Sequence, residues 1–277
     1  MTNSWVRSVA AAVAVVVGSA ASSVSALVLH PAGDGAVVTR PADAVVGQWL
    51  GSNQASLVVV SPDYAVTTRH QSGGIGTLVS IDGTQYKVDA ITNHPTADLR
   101  VVKLVTLADM PANLTDFVSI YTDTDEASQT AVFGGYGEGR GSAVAGGYNW
   151  AGAGSRSLRW GSNVIDNTGT AGGSFPSDVL IADFDSDANG ALGEATLATG
   201  DSGGGYFLFD SGEWKVAALH RAVANPGQAL YSPTPEYIDG VRLSSYSTFI
   251  NGVVPEPTSG ALLLGALIGL SARRRRA

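Results

Sequence analysis

The stretch TLATGDSGGGYFLF, residues 196–209, sets one hydroxyl, Ser202, between Asp201 and three glycines. A serine hydroxyl is a poor nucleophile until a neighbouring base takes its proton. Imidazole is the side chain best suited to that task near neutral pH, and the chain has four histidines: His30, His70, His94 and His220. His30 and His94, the latter followed by Pro95, read as solvent-facing residues. His70 ends the apolar run SPDYAVTTRH and precedes Gln71-Ser72-Gly73-Gly74, so a strand would carry it to the point where a loop opens. Asp98, in PTADLRVVKL, stands at the head of a strongly apolar run, where a rigid strand could hold a carboxylate to orient that base. Asp201 is too near Ser202 to serve, because adjacent side chains point apart. Nucleophile, base and orienting acid are the parts of acyl-transfer chemistry. Glycines on both sides of the serine suit a hydroxyl that another molecule must approach closely. A glycine-rich hairpin with an incidental serine is the alternative.

The elements that must position these groups are short. Residues 27–253 carry no long stretch of helical period, but twelve short β-like runs, from VGQWL to KVAALHRAV, recur about every ten residues. Turn signals such as Asp82-Gly83, Asp210-Ser211-Gly212 and Pro226-Gly227 separate them. The pattern predicts an all-β chain, a sandwich or barrels. With 35 glycines in 277 residues, the chain exceeds the usual share of about 7% and reads as rich in turns. One helix is expected over SSYSTFI, residues 244–250, with Tyr246, Phe249 and Ile250 on one face. The less apolar stretch TDTDEASQT, residues 122–130, divides the runs into two near-equal groups, as a linker would.

TTRH, ADLRVVKL and GDSGGG, in that order, resemble the histidine, aspartate and serine blocks of the chymotrypsin/trypsin-like serine proteases. FGGYG (133–137), VAALH (216–220) and DGVRLSSYSTFI (239–250) resemble further blocks of the same family, so the likeness spans about residues 45–250. It implies two antiparallel β-barrels, about 45–121 and 131–243, followed by a short C-terminal helix over 244–250. It also implies a triad of Ser202, His70 and Asp98, and an oxyanion hole made by the backbone N–H groups of Gly200 and Ser202. The specificity pocket would have Thr196 and Leu197 at its base, and His220 would lie behind the triad, touching Asp98 or merely packing. Neither Thr196 nor Leu197 is acidic, so small or apolar residues are expected before the scissile bond rather than Lys or Arg. The resemblance implies an endopeptidase that acts on polypeptides without a cofactor. An esterase on the same scaffold, or a non-catalytic matrix or adhesion protein that keeps the barrels for binding, are the alternatives. The chain departs from the family at Thr68 and Arg69, which stand where alanines are usual, at Gln71 in place of a cysteine, and at Gly205 in place of a proline. It also lacks an Ile-Val-Gly-Gly-like start whose freed amine would pair with Asp201. Leu27-Val28-Leu29 lies well upstream, so either an internal partner or further processing must serve Asp201.

The ends read as targeting segments. Residues 1–26 combine Arg7, an apolar run over 9–17 and a small-residue exit, the layout of a secretory signal peptide cut after Ala26. Residues 254–277 resemble the bacterial PEP-CTERM sorting signal: Pro255-Glu256-Pro257, an apolar run over 261–270, and arginines at 273–276. That likeness implies a Gram-negative envelope, export across the inner membrane and transient anchoring through this segment. It also implies trimming by a membrane transpeptidase-like enzyme and release to the cell surface or polysaccharide matrix. The net charge of −8 includes five terminal arginines, so the remainder stands near −13 with no basic stripe, which argues against nucleic acid as a partner. A monomer is expected. The absence of cysteine excludes disulfides and zinc–thiolate sites. In DFDSDANGALGE, residues 183–194, Asp185, Asp187, Asn189 and Gly190 match the first half of an EF-hand loop. The twelfth position is Thr196, however, and Glu194 falls two residues early, so calcium stands against a plain acidic turn.

Overall fold

The computed structural model describes residues 27–33, 36–186, 190–231 and 237–255. The expected leader, the tail from Glu256 onward, and the calcium candidates Asp187 and Asn189 lie outside the described residues. The chain starts with β1 (Val28–Leu29) and continues through β2 (Val46–Trp49), β3 (Ala55–Ser61), β4 (Tyr64–Thr67), β5 (Leu78–Ile81), β6 (Thr84–Asn93) and β7 (Arg100–Thr106). Strands β2 to β7 close a six-stranded barrel in the order β2-β3-β4-β7-β6-β5. Two-residue alternation explains why β3 is buried along its whole length. Leu57 and Val59 point into the barrel with Trp49, Val79 and Leu104. Val58 and Val60 face outward into a second core that includes Phe207, Leu219 and Val241 from the other half of the molecule. The β5–β6 hairpin turns at Asp82 and Gly83, both at positive φ (+45° and +75°), as a type I′ turn requires.

The second half contains β8 (Ser119–Ile120), β9 (Thr130–Gly135), β10 (Arg140–Val144), β11 (Gly147–Trp150), β12 (Arg159–Val164), β13 (Asn167–Ala171) and β14 (Ser177–Asp183). It continues with β15 (Ala195–Thr196), β16 (Gly205–Asp210), β17 (Glu213–Val223), β18 (Gln228–Leu230) and β19 (Tyr237–Arg242). Its main sheet runs β12-β9-β16-β17-β19-β14-β13, with β8 pairing along β17, and it curls around Phe133, Leu180, Tyr206 and Ile238. The seam between β12 and β14 is bridged by the Asn163 side chain, which donates to Asp183 O and, at 3.0 Å, to Ala195 O. Strands β10, β11 and β18 form a separate small sheet.

The segment between the halves is pinned rather than loose. Glu126 is fully buried and accepts from Arg242 Nε and Nη2 at 2.9 and 2.6 Å and from Ser244 Oγ at 2.8 Å. The helix, α1 (Ser247–Val253), follows a single 3-10 turn over Ser244–Tyr246. It ends where Val254, ahead of Pro255, must be extended (φ −86°, ψ 114°). Two expectations need correction here. His94 is half-buried with its ring edge-on to Tyr246 and Phe249, at 4.8 and 4.9 Å. His30 is only 5% exposed and packs 5.3 Å from the Tyr231 ring, because β1 carries it inward.

Strand β1 pairs antiparallel with β15, and Leu27 and Val28 are fully buried. Leu27 joins the core around Phe133, and Val28 the cluster of Phe184, Ala198 and Ala229. Burying two aliphatic side chains is worth about 3 kcal/mol. Deleting residues 27–29 is therefore expected to lower Tm by roughly 6–12 °C. Thermal unfolding checks this, and an unchanged Tm would show that the strand only decorates the surface.

Candidate active site

Ser202 sits in the turn between β15 and β16. Gly200 and Gly203 adopt φ of +101° and +84°, conformations that side chains other than glycine rarely accept. The two halves also close too tightly for anything larger. A Cβ on Gly203 would lie 2.1 Å from Thr67 Oγ1 and 2.3 Å from Ser56 O. Ser56, on β3 of the first barrel, bolts the turn in place: its N–H donates to Ser202 O at 2.9 Å and its hydroxyl to Gly200 O at 2.9 Å. The turn's own amides divide in function. Asp201 N donates to Ala198 O, Gly203 N to His220 O and Gly204 N to Asp201 O, whereas Gly200 N and Ser202 N donate to nothing among the described residues.

The Asp201 side chain turns away from Ser202 into the protein. It accepts from Gly137 N at 2.7 Å and from Ala198 N at 2.9 Å. Glycine is required opposite it, since a Cβ on Gly135 or Gly137 would come within 2.3 Å of the carboxylate. Burial pushes this carboxyl up to about 7, against the pull of the two backbone donors and of Arg159 and Arg156. Burial likewise brings the neighbouring Arg159 guanidinium down to about 10. The partners of Asp201 are thus internal: backbone amides, with the Arg159 charge nearby.

His70 lies just beyond β4 and Asp98 just before β7. These strands pair antiparallel with Thr67 opposite Arg100, so both residues emerge at the same end of the barrel. Asp98 Oδ2 is 2.6 Å from His70 Nδ1, and Asp98 Oδ1 accepts from the His70 backbone N–H at 2.8 Å. The Asp98 side chain is 4% exposed and that of His70 34%. Burial alone would raise the Asp98 carboxyl, but the hydrogen bonds and charge of His70, with a smaller pull from the Arg221 charge, outweigh it and hold it below the usual carboxylate value. With Asp98 accepting from Nδ1, the opposite nitrogen, Nε2, is left as the basic one. It faces Gln71 Nε2 at 3.3 Å, and no hydrogen bond joins it to Ser202 Oγ in this state. Gln71 is itself held, its Oε1 accepting from Asn53 Nδ2 at 2.8 Å. Arg100 fixes the loop by donating to Arg69 O and Gln71 O.

Beside Ser202 opens a cavity of about 210 Å³, whose walls include Trp150, Leu197, Ala198, Arg221 and Val223. Of the three residues expected there, Leu197 lines it, while Thr196 and His220 are fully buried outside its lining. Thr196 points inward because β15 is paired with β1. His220 is held between the Phe133 and Tyr206 rings, at 5.3 and 5.1 Å, and burial pushes its imidazole down to about 3, so it packs as a neutral ring. The residue that approaches Asp98 is the next one, Arg221, with Nε 3.8 Å from Oδ2. Alternation along β17, together with a register shift between His220 and Ala222, sends residue 220 into the core and residue 221 toward the site. Ser56, Arg221 and Gln71 were not singled out from the sequence as partners of the site, and no local pattern marks them.

In the candidate calcium loop, Glu194 turns back to accept from Ala191 N at 2.8 Å and Asp185 N at 3.4 Å. Among the described residues, no group of three His, Cys, Asp or Glu side chains could hold a metal ion.

No family model matches the chain, and neither does any curated protein. Among solved structures, it is similar to the Rv3671c protease in an inactive form, with a TM-score of 0.52 and 13% identity over 79% of this chain and 100% of that one. It is likewise similar to a serine-to-alanine variant of Rv3671c from M. tuberculosis H37Rv, also in an inactive form, with a TM-score of 0.51 and 13% identity over 79% and 98% of the two chains. The fold is therefore chymotrypsin-like: all-β, with a closed first barrel and one short helix near the end of the described chain.

Proposed function

We propose that this protein is an exported serine endopeptidase in which Ser202 is the nucleophile, His70 the general base and acid, and Asp98 the orienting carboxylate. The observation that carries the reading is the Asp98–His70 pair, joined through both the ring and the backbone of His70, beside a serine turn with two undonated amides. In the first step Ser202 Oγ bonds to the substrate carbonyl carbon and its proton passes to His70 Nε2. For this the hydroxyl must take the place of Gln71 at that nitrogen. Alignment of this kind commonly tightens only when substrate binds. The oxyanion that forms is met by the amides of Gly200 and Ser202. The C–N bond then breaks as His70 returns the proton to the leaving amine, and water hydrolyses the acyl-enzyme to release the acid and restore Ser202. Labelling of Ser202 by a fluorophosphonate, with peptide and ester substrates run side by side, tests the reading and separates a peptidase from an esterase.

The cavity lining supports a preference for small or apolar residues before the cut. Among the described residues no carboxylate lines the cavity, and the Arg221 guanidinium is already held by both oxygens of Asp239, at 3.0 and 2.9 Å. A basic side chain would find no counter-charge there, and an acidic one no free cation. Cleavage of a peptide library is expected to favour small and apolar residues over Lys or Arg by at least roughly tenfold, and a preference for Lys or Arg would overturn the assignment. Export, C-terminal trimming and surface display belong to the same proposal and rest on residues 1–26 and 254–277. Among the described residues no helix is long and apolar enough to cross a membrane. The domain itself is proposed to work as a monomer that touches the membrane through its ends alone.

A further inference from the structure

We propose that Arg221 is a positioning residue for the Asp98–His70 pair, its guanidinium fixed between Asp98 and Asp239 so that Asp98 stays charged and aligned. The inference rests on the hydrolase reading, in which that pair serves Ser202. Nη1 of Arg221 donates to both Asp239 oxygens and Nη2 to Gly172 O at 2.9 Å. The remaining donor, Nε, is buried without a hydrogen-bond partner and stands 3.8 Å from Asp98 Oδ2. A planar fork anchored on two sides cannot swing its charge away. Asp98 has few other partners. Its side chain is 4% exposed, its carboxylate accepts hydrogen bonds only from His70, and no hydroxyl donates to it among the described residues. Ser177 Oγ, the nearest candidate, is turned the other way: it accepts from the Asp98 backbone N–H and donates to Phe175 O. Arg100 is also close enough to feel the Asp98 charge, but its guanidinium is directed at the carbonyls of Arg69 and Gln71. Arg221 is therefore the guanidinium whose unpartnered Nε stands within ion-pair distance of this carboxylate, and it lines the substrate cavity as well.

Asp239 is itself buried, at 5% exposure. Removing the guanidinium alone would strand that carboxylate, so the informative variant pairs Arg221→Gln with Asp239→Asn. Two readouts are taken on the purified full chain. One is the downfield proton NMR signal of the His70 Nδ1–H bond to Asp98, which needs no catalysis; the other is the rate of Ser202 labelling by a fluorophosphonate. In the paired variant the NMR signal is expected to be lost, and labelling to slow about tenfold at an unchanged reagent affinity. The same pair of changes is expected to add nothing in an Asp98→Asn background, since coupled residues are not additive. Arg221→Lys keeps a cation for Asp239, and with it the fold, but withdraws the Nε that stands near Asp98. It is expected to label more slowly than wild type and faster than the paired variant. Wild-type signal and rate in the paired variant would overturn the proposal, and so would wild-type behaviour of Arg221→Lys or an equal tenfold loss in the Asp98→Asn background. A wild-type chain that resists labelling would overturn the hydrolase reading instead. The NMR signal alone then decides the role of Arg221, its loss in the paired variant upholding the proposal and its persistence overturning it.

Discussion

Replacing Ser202 with alanine is expected to abolish fluorophosphonate labelling and to lower kcat for peptide hydrolysis by roughly 10⁴–10⁶-fold. His70→Ala should give a loss of the same order, and the double variant little more, because nucleophile and base act as one unit. Neither loss should come from unfolding. The turn is tied to the first barrel through the carbonyl oxygens of Ser202 and Gly200, which bind the Ser56 N–H and hydroxyl. Those bonds survive removal of the Ser202 hydroxyl, so Tm of Ser202→Ala should match that of wild type. The His70 backbone N–H likewise still reaches Asp98 in His70→Ala. KM is expected to change little, since Ser202→Ala removes only one hydroxyl from the cavity lining and leaves its other walls in place. Peptide cleavage that persists in Ser202→Ala would sink the assignment of the nucleophile.

Stability is expected to fall as pH rises from about 5 to above 8, and Glu194→Gln is expected to remove much of that fall. Glu194 is 3% exposed and, among the described residues, accepts only backbone N–H groups, and burial pushes its carboxyl up to about 8. Asp201 shifts in the same direction, to about 7. A folded-state value raised above the unfolded one means that the folded chain holds its proton more tightly. The contribution is then complete below the unfolded value of 4.5 and lost as pH passes through about 8. For Glu194 the shift corresponds to about 4–5 kcal/mol, or roughly 10–20 °C in Tm for a domain of this size. Glutamine carries no proton to lose and resembles the neutral acid in shape. Unfolding curves at pH 5 and pH 8.5 for both proteins should nearly coincide at the lower pH and separate at the higher, with the variant more stable. Parallel curves would show that Glu194 is ionised in the folded chain at no cost.

How much of this was readable before folding depends on how far each interaction reaches along the chain. Alternation is local, so β3 and β7 could be recognised as strands from composition and spacing. The glycines around Ser202 were legible for the same reason, since positive φ is a property of single residues. His70 and Asp98 could be picked out because each ends or begins an apolar run, and pairing of Thr67 with Arg100 brings those two strand ends together. Which neighbour of His220 reaches the site was not readable. The sequence left His220 either touching Asp98 or merely packing, and the phase of β17 against β19 with its local bulge sends that ring into the core and Arg221 outward. A one-residue change of phase exchanges the two faces of a strand, and nothing in the strand's own composition sets that phase.

The amino-acid order by itself determined the all-β character, the division into two groups of strands, the glycine turn, and the three side chains proposed for acyl transfer. Tertiary structure alone decided what surrounds them. Asp201 found its donors in the Gly137 and Ala198 amides, Ser56 reached across to the serine turn, and Arg221 came to stand between two buried carboxylates. Ser56 and Gly200 are 144 positions apart and Gly137 and Asp201 64. Contacts at such separations depend on how the second half closes on itself and against the first barrel, and a propensity or motif carries no information about a partner it does not adjoin.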